Sequence, residues 1–438
     1  MSERKYWNEE IETLPRKKLE EVQIEQLRDT IAFAYENSVH YRRSFDEAGV
    51  GTGDLTSLAD LAKFPFVDKK TERETQGVGS FLGEMCAVPE SDVVFVSASS
   101  GSTGTPTLSP FTKNDFEEWQ DVESRLFYMT GMRNTDRYLH ALNFTLFVGG
   151  PDVIGAQNIG ALCIWSGTVP SERLLFIIRE FKPTVIWTTP SYAWYLGETA
   201  KKSGLDPANG LSIKKIIVAG EPGGSIKATR EAIEKLWNAD LYDFFGISDI
   251  FGACAGMCEA KDGLHLAEDH ILAETVDPRT GEVLPDGAHG ELALTTLRKR
   301  ARPMIRFRTG DIGCVNREKC SCGRTHARVS IVGRKDDMFI VSGVNVFPSD
   351  VEYVIRGLEG ITGEYLIRVS KKDFTAQYAV EVEKERNSSE TDERLAERVS
   401  AALKARIGVK PAQVTVLEDG ALPRATHKAK RLIDERNS

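Results

Sequence analysis

The stretch VVFVSASSGSTGTPT, Val93 to Thr107, runs a β-branched apolar segment straight into a loop of hydroxyls and glycines. From Ser97 to Thr107 it carries seven Ser or Thr residues and two glycines in eleven positions. A strand-sized run closed by such a loop, leading through TLSPFTKND toward a helical pattern, is the first unit of an alternating β/α chain. The loop has the chemistry of an anion cradle: glycines let backbone N–H groups approach closely, and hydroxyls add donors. It lacks the lysine of a GxxxxGKS or GxxxxGKT phosphate loop, and it is not a GxGxxG dinucleotide fingerprint. A flexible Ser/Gly linker is the competing reading, and the position between two periodic segments counts against it.

The alternation extends on both sides of this stretch. LEEVQIEQLRDTIAFAYEN reads as an amphipathic helix and FPFVDKK as an extended lead-in. Further on, TVIWTTPS, KKIIVAGE and ELALTTL read as strands, with KNDFEEWQDVESRLFYM, SERLLFIIREF and SIKATREAIEKLW as helices between strand runs. The pattern predicts an α/β fold: a large N-terminal α/β domain of layered sheets and helices, the sheets substantially parallel, with ligands at the carboxyl ends of the strands. After TTLRKRARPMIRFRTGDIG the character changes to a charged turn, a short strand, a Gly turn and a helix start, followed by the helix TDERLAERVSAALKARIG and the strands QYAVEVE and QVTVLED. That predicts a small C-terminal α+β domain of about 100 residues. The predicted division is residues 1–333 and 334–438.

The chain has 438 residues, enough for two or three domains. Its 56 Lys and Arg against 65 Asp and Glu give a net charge of −9, which argues against a protein that coats nucleic acid. No apolar run approaches the ~18–20 residues of a membrane span. The charged opening MSERKYWNEEIETLPRKKLEE has no apolar signal core, so the chain reads as cytoplasmic and free of membrane. Seven cysteines are an odd number in such a chain and disfavour a disulfide framework.

The segment SSGSTGTP, Ser99 to Pro106, resembles the phosphate loop of the adenylate-forming enzymes, the acyl-CoA synthetases and their relatives, and further motifs follow in that family's order. The resemblance implies that Ser99, Ser100, Gly101, Ser102, Thr103 and Gly104 grip phosphate. It places AGEPGG, with Gly220, Glu221 and Pro222, along the adenine. DFFGISD resembles the family's aromatic-Gly-x-hydroxyl-acid motif, which puts Asp243, Phe244, Phe245, Gly246 and Ser248 on the nucleotide. Phe245 would stack on adenine, Ser248 would bond the α-phosphate, and Asp249, where the family usually has Glu, would hold Mg²⁺. In RFRTGDIG the implied ribose clamp is Asp311, an acceptor-only carboxylate when ionised. In GRKDDMFIVSGVNVFPSDVE, Arg334 would reach a phosphate oxygen and Asp336 would be the hinge of a mobile C-terminal domain. LPRATHKAKR supplies the lysine of the adenylation step, Lys428, preceded by His427 where Gly is usual. The region ALNFTLFVGG implies an acyl pocket with Phe144 and Phe147, joined by Gly220, Gly246 and Ile247. The segments TTPSY, DGLHLAEDH, DPRTGEVLPDGAHGELALTTL and VNVFPSDVE, and Thr107 in place of a lysine after the loop's proline, resemble the phenylacetate–CoA ligase-like branch.

Five of the seven cysteines fall between Cys254 and Cys322. Cys258, His265, Cys320 and Cys322 offer three thiolates and an imidazole, a tetrahedral zinc set, with Cys254, His270 and His326 as alternates. Four protein ligands would close the coordination sphere, making the zinc structural. Reduced, partly buried thiols are the competing reading.

The resemblance implies an AMP-forming ligase that joins a small aromatic carboxylic acid, of phenylacetate or indoleacetate type, to CoA, using ATP and Mg²⁺. An adenylyltransferase that loads a carrier protein or cofactor, and a silent nucleotide-binding homologue, are the alternatives. The helical N-terminus leaves two readings open, a homodimer surface or a cover for the main core.

Overall fold

The computed structural model describes residues 4–99, 106–144, 149–342, 344–372, 375–424 and 431–436. The chain divides into two compact units, one made of Met1–Val169, Pro183–Trp187 and Tyr242–Ile331, the other of Pro170–Lys182, Thr188–Leu241 and Val332–Ser438. The second unit therefore takes in two central segments as well as the predicted C-terminal domain.

In the first unit the helix Arg16–Asn37 follows the predicted periodicity and buries Leu19, Leu27, Ile31 and Ala34 along one stripe. The lead-in segment is extended where expected: Val67 forms a parallel bridge with Phe307. Asp68 then caps the helix Lys69–Thr75, its Oδ1 accepting from the Thr71 N–H at 2.8 Å.

The opening stretch differs from its sequence reading in one respect. Val93–Ala98 pairs antiparallel with Leu108–Thr112, so the Ser/Gly loop joins two strands of a hairpin and not a strand to a helix. Pro110 sits within the second strand, opposite Val96. A proline demotes a segment as a strand in sequence, yet it is tolerated in a two-stranded ladder, where half of the N–H groups need no partner. The helix Lys113–Met129 starts directly after, with Thr112 and Asp115 exchanging side-chain caps.

Sheet direction is the second difference. Arg137–His140 pairs in parallel with Leu162–Trp165 and with Val185–Thr188. From Asp240–Ile247 onward the first unit is antiparallel: that strand pairs with Phe251–Met257, which pairs with Leu264–Leu266, and Ile271–Val276 pairs with Gly290–Thr296, which pairs with Phe307–Asn316. The fold is α/β with mixed sheets. No helix lies between these consecutive strands, whereas parallel pairing needs crossover connections that are usually helical.

Phe251–Met257 is buried along its whole length, against the helix Lys113–Met129. Here two carboxyls meet inside the core. Glu123 accepts from the Trp119 indole N–H at 3.1 Å, and Glu123 and Asp152 are both buried. Gly252 makes room for them: a Cβ there would lie 2.1 Å from Asp152 Oδ1. Burial pushes Glu123 up to about 8, and burial together with Glu123 raises Asp152 well above its ordinary range.

The C-terminal part of the second unit is a four-stranded sheet in the order Gln413–Leu417, Thr375–Lys384, Ile361–Lys372, Leu432–Asp434. Its two central strands are antiparallel and its two edges are added in parallel. The helices Pro348–Arg356 and Asp392–Ile407 cover it, burying Val351, Ile355, Leu395, Val399 and Leu403 against Ile367, Val369, Val380 and Val382. No helix among the described residues is long and apolar enough to cross a membrane.

The Glu123–Asp152 pair predicts a pH dependence. An acid whose folded pKa lies above its unfolded value of about 4.3 stabilises the fold while protonated, and that contribution is lost as pH rises toward the folded value. Stability therefore falls between about pH 4.5 and 8 in proportion to this group. Glu123→Gln keeps an acceptor for Trp119 and a donor for Asp152. Thermal melts across pH 5–9 should show a shallower alkaline decline for the variant, and equal slopes would exclude a shared proton.

Candidate active site

The base of the opening loop is closed by paired contacts. The Ser99 N–H donates to the Thr107 carbonyl at 3.0 Å, and the Thr107 N–H returns to Ser99 Oγ at 3.0 Å. Gln76 adds a brace, donating to the Pro106 carbonyl at 3.1 Å and accepting from the Leu108 N–H at 2.7 Å. Ser100, Gly101, Ser102, Thr103 and Gly104 lie outside the described residues.

This neck stands on the turn that carries Asp249. Ser97 Oγ donates to the Ser248 carbonyl at 3.3 Å, and Thr107 Oγ1 donates to Asp249 Oδ1 at 3.3 Å. Asp249 is fully buried and lies between two cations, Lys69, in direct contact, and Arg302 at 3.0 Å. A second carboxylate, Glu72, shares both cations, at 3.0 Å from Lys69 and 2.8 Å from Arg302. Burial alone would raise Asp249, but Lys69 and Arg302 hold it down at about 2; Glu72, with burial dominant, is pushed up to about 7. Lys299 completes the floor. Its Nζ donates to Ser109 Oγ at 2.7 Å and to the Asp249 and Ile250 carbonyls at 2.9 and 3.1 Å, and it lies 4.0 Å over the Phe111 ring.

Lys69, Glu72, Lys299 and Arg302 were not among the residues singled out from sequence. Lys69 also donates to Thr107 Oγ1 at 2.8 Å, so its ammonium reaches the foot of the loop from a helix N-terminus 38 positions away. The one hint in the sequence was Thr107 itself, a hydroxyl in place of the lysine after the loop's proline.

DFFGISD lies on the strand Asp240–Ile247 and the turn after it. Its alternation splits the two phenylalanines. Phe244 turns into the core, its ring centroid 5.8 Å from Phe127 and 5.6 Å from Trp187, so it supports the strand from beneath and offers no ring to a nucleotide. Phe245 lies on the opposite face and is half-buried. Gly246 is required by a close crossing, since a Cβ there would meet the Gly252 carbonyl at 1.6 Å. Asp243 and Asp249 are buried, while Ile247 and Ser248 are partly open.

Asp311 is buried on the strand Phe307–Asn316, its N–H donating to Thr309 Oγ1 at 3.0 Å. The motif is braced by Arg306, which holds φ +50°, forks onto Glu274 at 3.0 Å, and donates to the Ala62 and Phe64 carbonyls. Those contacts over-determine a strained backbone position. Phe144 is 41% exposed and stacks on Trp165 at 5.6 Å and 17°, with Gly150 and Gly167 lying against its ring. Phe147 lies outside the described residues.

In the second unit Gly220 takes φ +90° and Glu221 accepts from the Ser191 N–H at 2.8 Å, which joins AGEPGG to the start of the helix Pro190–Lys202, the TTPSY segment. Arg334 forks onto Asp336 at 2.9 and 3.2 Å, an exposed pair that links the implied phosphate ligand to the implied hinge. Lys428 lies outside the described residues.

The cysteine cluster assembles. Donor atoms of Cys258, His265, Cys320 and Cys322 all lie within 4.8 Å of one another, and all four residues are buried. His265 Nδ1 faces the His326 carbonyl at 3.0 Å, which can only accept, so Nδ1 carries the proton and Nε2 is left toward Cys322 at 3.4 Å. The alternates fall away: the Cys254 thiol faces the Phe245 carbonyl, His270 lies between Glu118 and Asp269, and both ring nitrogens of His326 face backbone carbonyls. The loop also holds the N-terminus. Tyr6 Oη donates to the Cys322 carbonyl at 3.1 Å, Arg324 pairs with Glu12 at 2.6 Å, and Thr325 bonds the Glu12 and Leu14 carbonyls.

Comparison with known proteins bears on this geometry directly. Residues 23–296 match the AMP-binding enzyme family, and residues 343–436 match the AMP-binding enzyme C-terminal domain. The chain belongs to the AMP-binding enzyme family. It is 39% identical to a phenylacetate-coenzyme A ligase of Aromatoleum evansii, covering 98% of this chain and 97% of that one. It is 37% identical to a phenylacetate-coenzyme A ligase of Thermus thermophilus, covering 98% and 99%. Its place in the family is thus the phenylacetate–CoA ligase branch. A crystal structure of 2-hydroxyisobutyryl-CoA ligase, in the postadenylation state with an acyl-AMP, matches with a TM-score of 0.94 at 28% identity, over 99% of this chain and 93% of that one.

The ion cluster makes its own prediction. Arg302→Met leaves Asp249 and Glu72 buried with one cation, and breaking a buried pair from one side costs about 3–5 kcal/mol. Denaturant titration should show that loss, with part of it recovered when Glu72→Gln is added. An unchanged midpoint for Arg302→Met would mean that the buried charges are not coupled.

Proposed function

We propose that the chain is an ATP-dependent, AMP-forming CoA ligase for an arylacetic acid of phenylacetate or indoleacetate type. The observation that carries this is the end-to-end likeness to two phenylacetate–CoA ligases, which spans both the nucleotide-site motifs and the C-terminal lysine motif. The working division is an adenylating domain, residues 1–333, and a C-terminal lid, residues 334–438, turning about Asp336.

In the first half-reaction a carboxylate oxygen of the acid bonds to the α-phosphorus of ATP, the α–β anhydride bond breaks, and pyrophosphate leaves with the electron pair. Positioning and charge neutralisation supply the catalysis. Ser99 and the loop Ser100–Gly104 hold the outgoing phosphates, Ser248 the α-phosphate, and Asp311 the ribose, with Phe245 and Gly220–Pro222 on the adenine. Lys69 takes the place that Thr107 leaves without a lysine, its ammonium already seated on that hydroxyl. Arg334 and Lys428 add positive charge during this step. Asp249 and the Thr107 hydroxyl are hard oxygen donors that would hold Mg²⁺, which spreads phosphate charge. Lys69, the partner of Asp249 with exposed surface, would yield to it. In the second half-reaction the CoA sulfur bonds to the acyl carbon, the bond from that carbon to AMP breaks, and the thiol proton is released.

Phe144, stacked on Trp165, gives the acid an aromatic wall, and Phe147, Gly246 and Ile247 are assigned to the same pocket. The Cys258, His265, Cys320 and Cys322 set fits a four-coordinate zinc, with no position open for substrate, so its task is structural.

ATP–pyrophosphate exchange across a panel of acids should respond to arylacetates, and AMP release should require CoA. Exchange without CoA-dependent AMP release would point to a carrier-loading adenylyltransferase instead. Lys428→Ala should abolish exchange while sparing thioester formation from a supplied acyl-adenylate; equal loss of both removes the assigned role. Protein purified without chelator should carry about one zinc per chain, dropping in Cys322→Ser, and a negligible content would leave the cluster as reduced thiols.

A further inference from the structure

Between the strands Phe307–Asn316 and Arg328–Arg334 the chain runs through 317–327 without helix or strand. This stretch carries two of the four cluster residues, Cys320 and Cys322. Its backbone is wrapped around them. The Gly323 N–H donates to the Cys320 carbonyl at 3.0 Å, and the Arg324 N–H donates to Cys322 Sγ at 3.5 Å.

The same stretch is the seat of the N-terminal segment. Tyr6 Oη donates to the Cys322 carbonyl at 3.1 Å, and Gly323, at φ +95°, leaves no room for a Cβ beside that hydroxyl. Arg324 Nε donates to Glu12 Oε2 at 2.6 Å, and the Glu12 side chain is buried there. The Thr325 N–H and hydroxyl donate to the Glu12 and Leu14 carbonyls at 3.0 and 2.6 Å, and His326 Nε2 faces the Ile11 carbonyl at 3.1 Å. Trp7 and Arg16 have anchors outside this stretch, Asp121 at 2.8 Å and Glu268.

A loop without a helix or a sheet ladder keeps its shape only through its cross-links. A metal shared by Cys320, Cys322, Cys258 and His265 would tie the loop to a sheet some 60 positions upstream. Binding of that metal and ordering of the loop are then one free energy. Every group that the loop offers to Tyr6, Ile11, Glu12 and Leu14 lies within four residues of a cluster cysteine.

We infer that metal in the cluster is the fastener of the N-terminal segment: it fixes Cys320–His326, that loop holds Tyr6 to Leu14, and loss of the metal releases them. The coupling is reciprocal, so a segment that seats poorly weakens the metal in turn. The inference rests on the four-coordinate zinc proposed for the cluster.

The test uses the full-length chain, zinc-loaded and stripped with a chelator. A glutamate-specific protease cuts after Glu12 only when that carboxylate has left Arg324. Cleavage at this bond, followed by mass, should quicken about 5- to 150-fold on stripping, the usual span of coupling between two sites, because slow cleavage tracks the population of the open form. Restored zinc should return it to the starting rate, whereas Cys322→Ser should be cut at the fast rate with or without zinc. Tyr6→Phe/Glu12→Gln should hold zinc more weakly in competition with a chromophoric chelator. An unchanged rate at Glu12, equal acceleration at sites throughout the chain, or undiminished zinc affinity in the double variant overturns the inference. A chain that takes up no zinc removes instead the reading on which it rests.

Discussion

A carboxylate held ionised without access to water needs opposite charge beside it, and Asp249 has Lys69 and Arg302. This requirement gathers four parts of the chain at one point. Lys69 comes from a capped helix near the N-terminus, Thr107 from the loop neck, Asp249 from the turn after DFFGISD, and Arg302 from the segment beyond Gly290–Thr296. Lys299 ties the second hairpin strand to the same turn through Ser109 and two carbonyls. The hairpin has only two strands, and a lone hairpin is marginal in water. Charge matching at its base, together with aromatic packing of Phe95 and Phe111 on Trp119, gives it a fixed seat.

What could be read from sequence followed from how local each signal is. The apolar run of Val93–Ala98 and the helical period of Arg16–Asn37 are written within a few residues, and the structure contains both. The hairpin was hidden because Pro110 argues against a strand, and only its position in a two-stranded ladder removes the objection. Strand direction was hidden because β-branched runs look alike in parallel and antiparallel sheets. Phe244 and Phe245 read alike in sequence, and the strand's alternation sends one to Phe127 and Trp187 and the other to the opposite face.

The charged partners of Asp249 were legible only through Thr107, a hydroxyl in place of the lysine after the loop's proline. Lys69 is 180 positions from it, in a segment whose composition says only that it is polar and extended. The cysteine cluster lies between these extremes. Residue chemistry named Cys258, His265, Cys320 and Cys322 with His270 and His326 as alternates, and the structure brings the first set together. A carbonyl facing Nδ1 assigns His265 to the cluster, whereas His326 faces carbonyls with both nitrogens.

The docking of the N-terminal segment on the cysteine loop has a consequence for how the protein is made. Glu12 meets Thr325 and Arg324 across more than 300 residues of chain. During synthesis the first residues emerge long before their partners, and Tyr6 and the Glu12 carboxylate lack Cys322 and Arg324 until the ribosome has passed them. The first unit therefore closes late, with its beginning fastened to one of its last parts, and a contact of such separation favours slow completion over early nucleation. A chain halted before Cys320 would lack the seat of Tyr6 and Glu12, while Trp7 and Arg16 would already have Asp121 and Glu268.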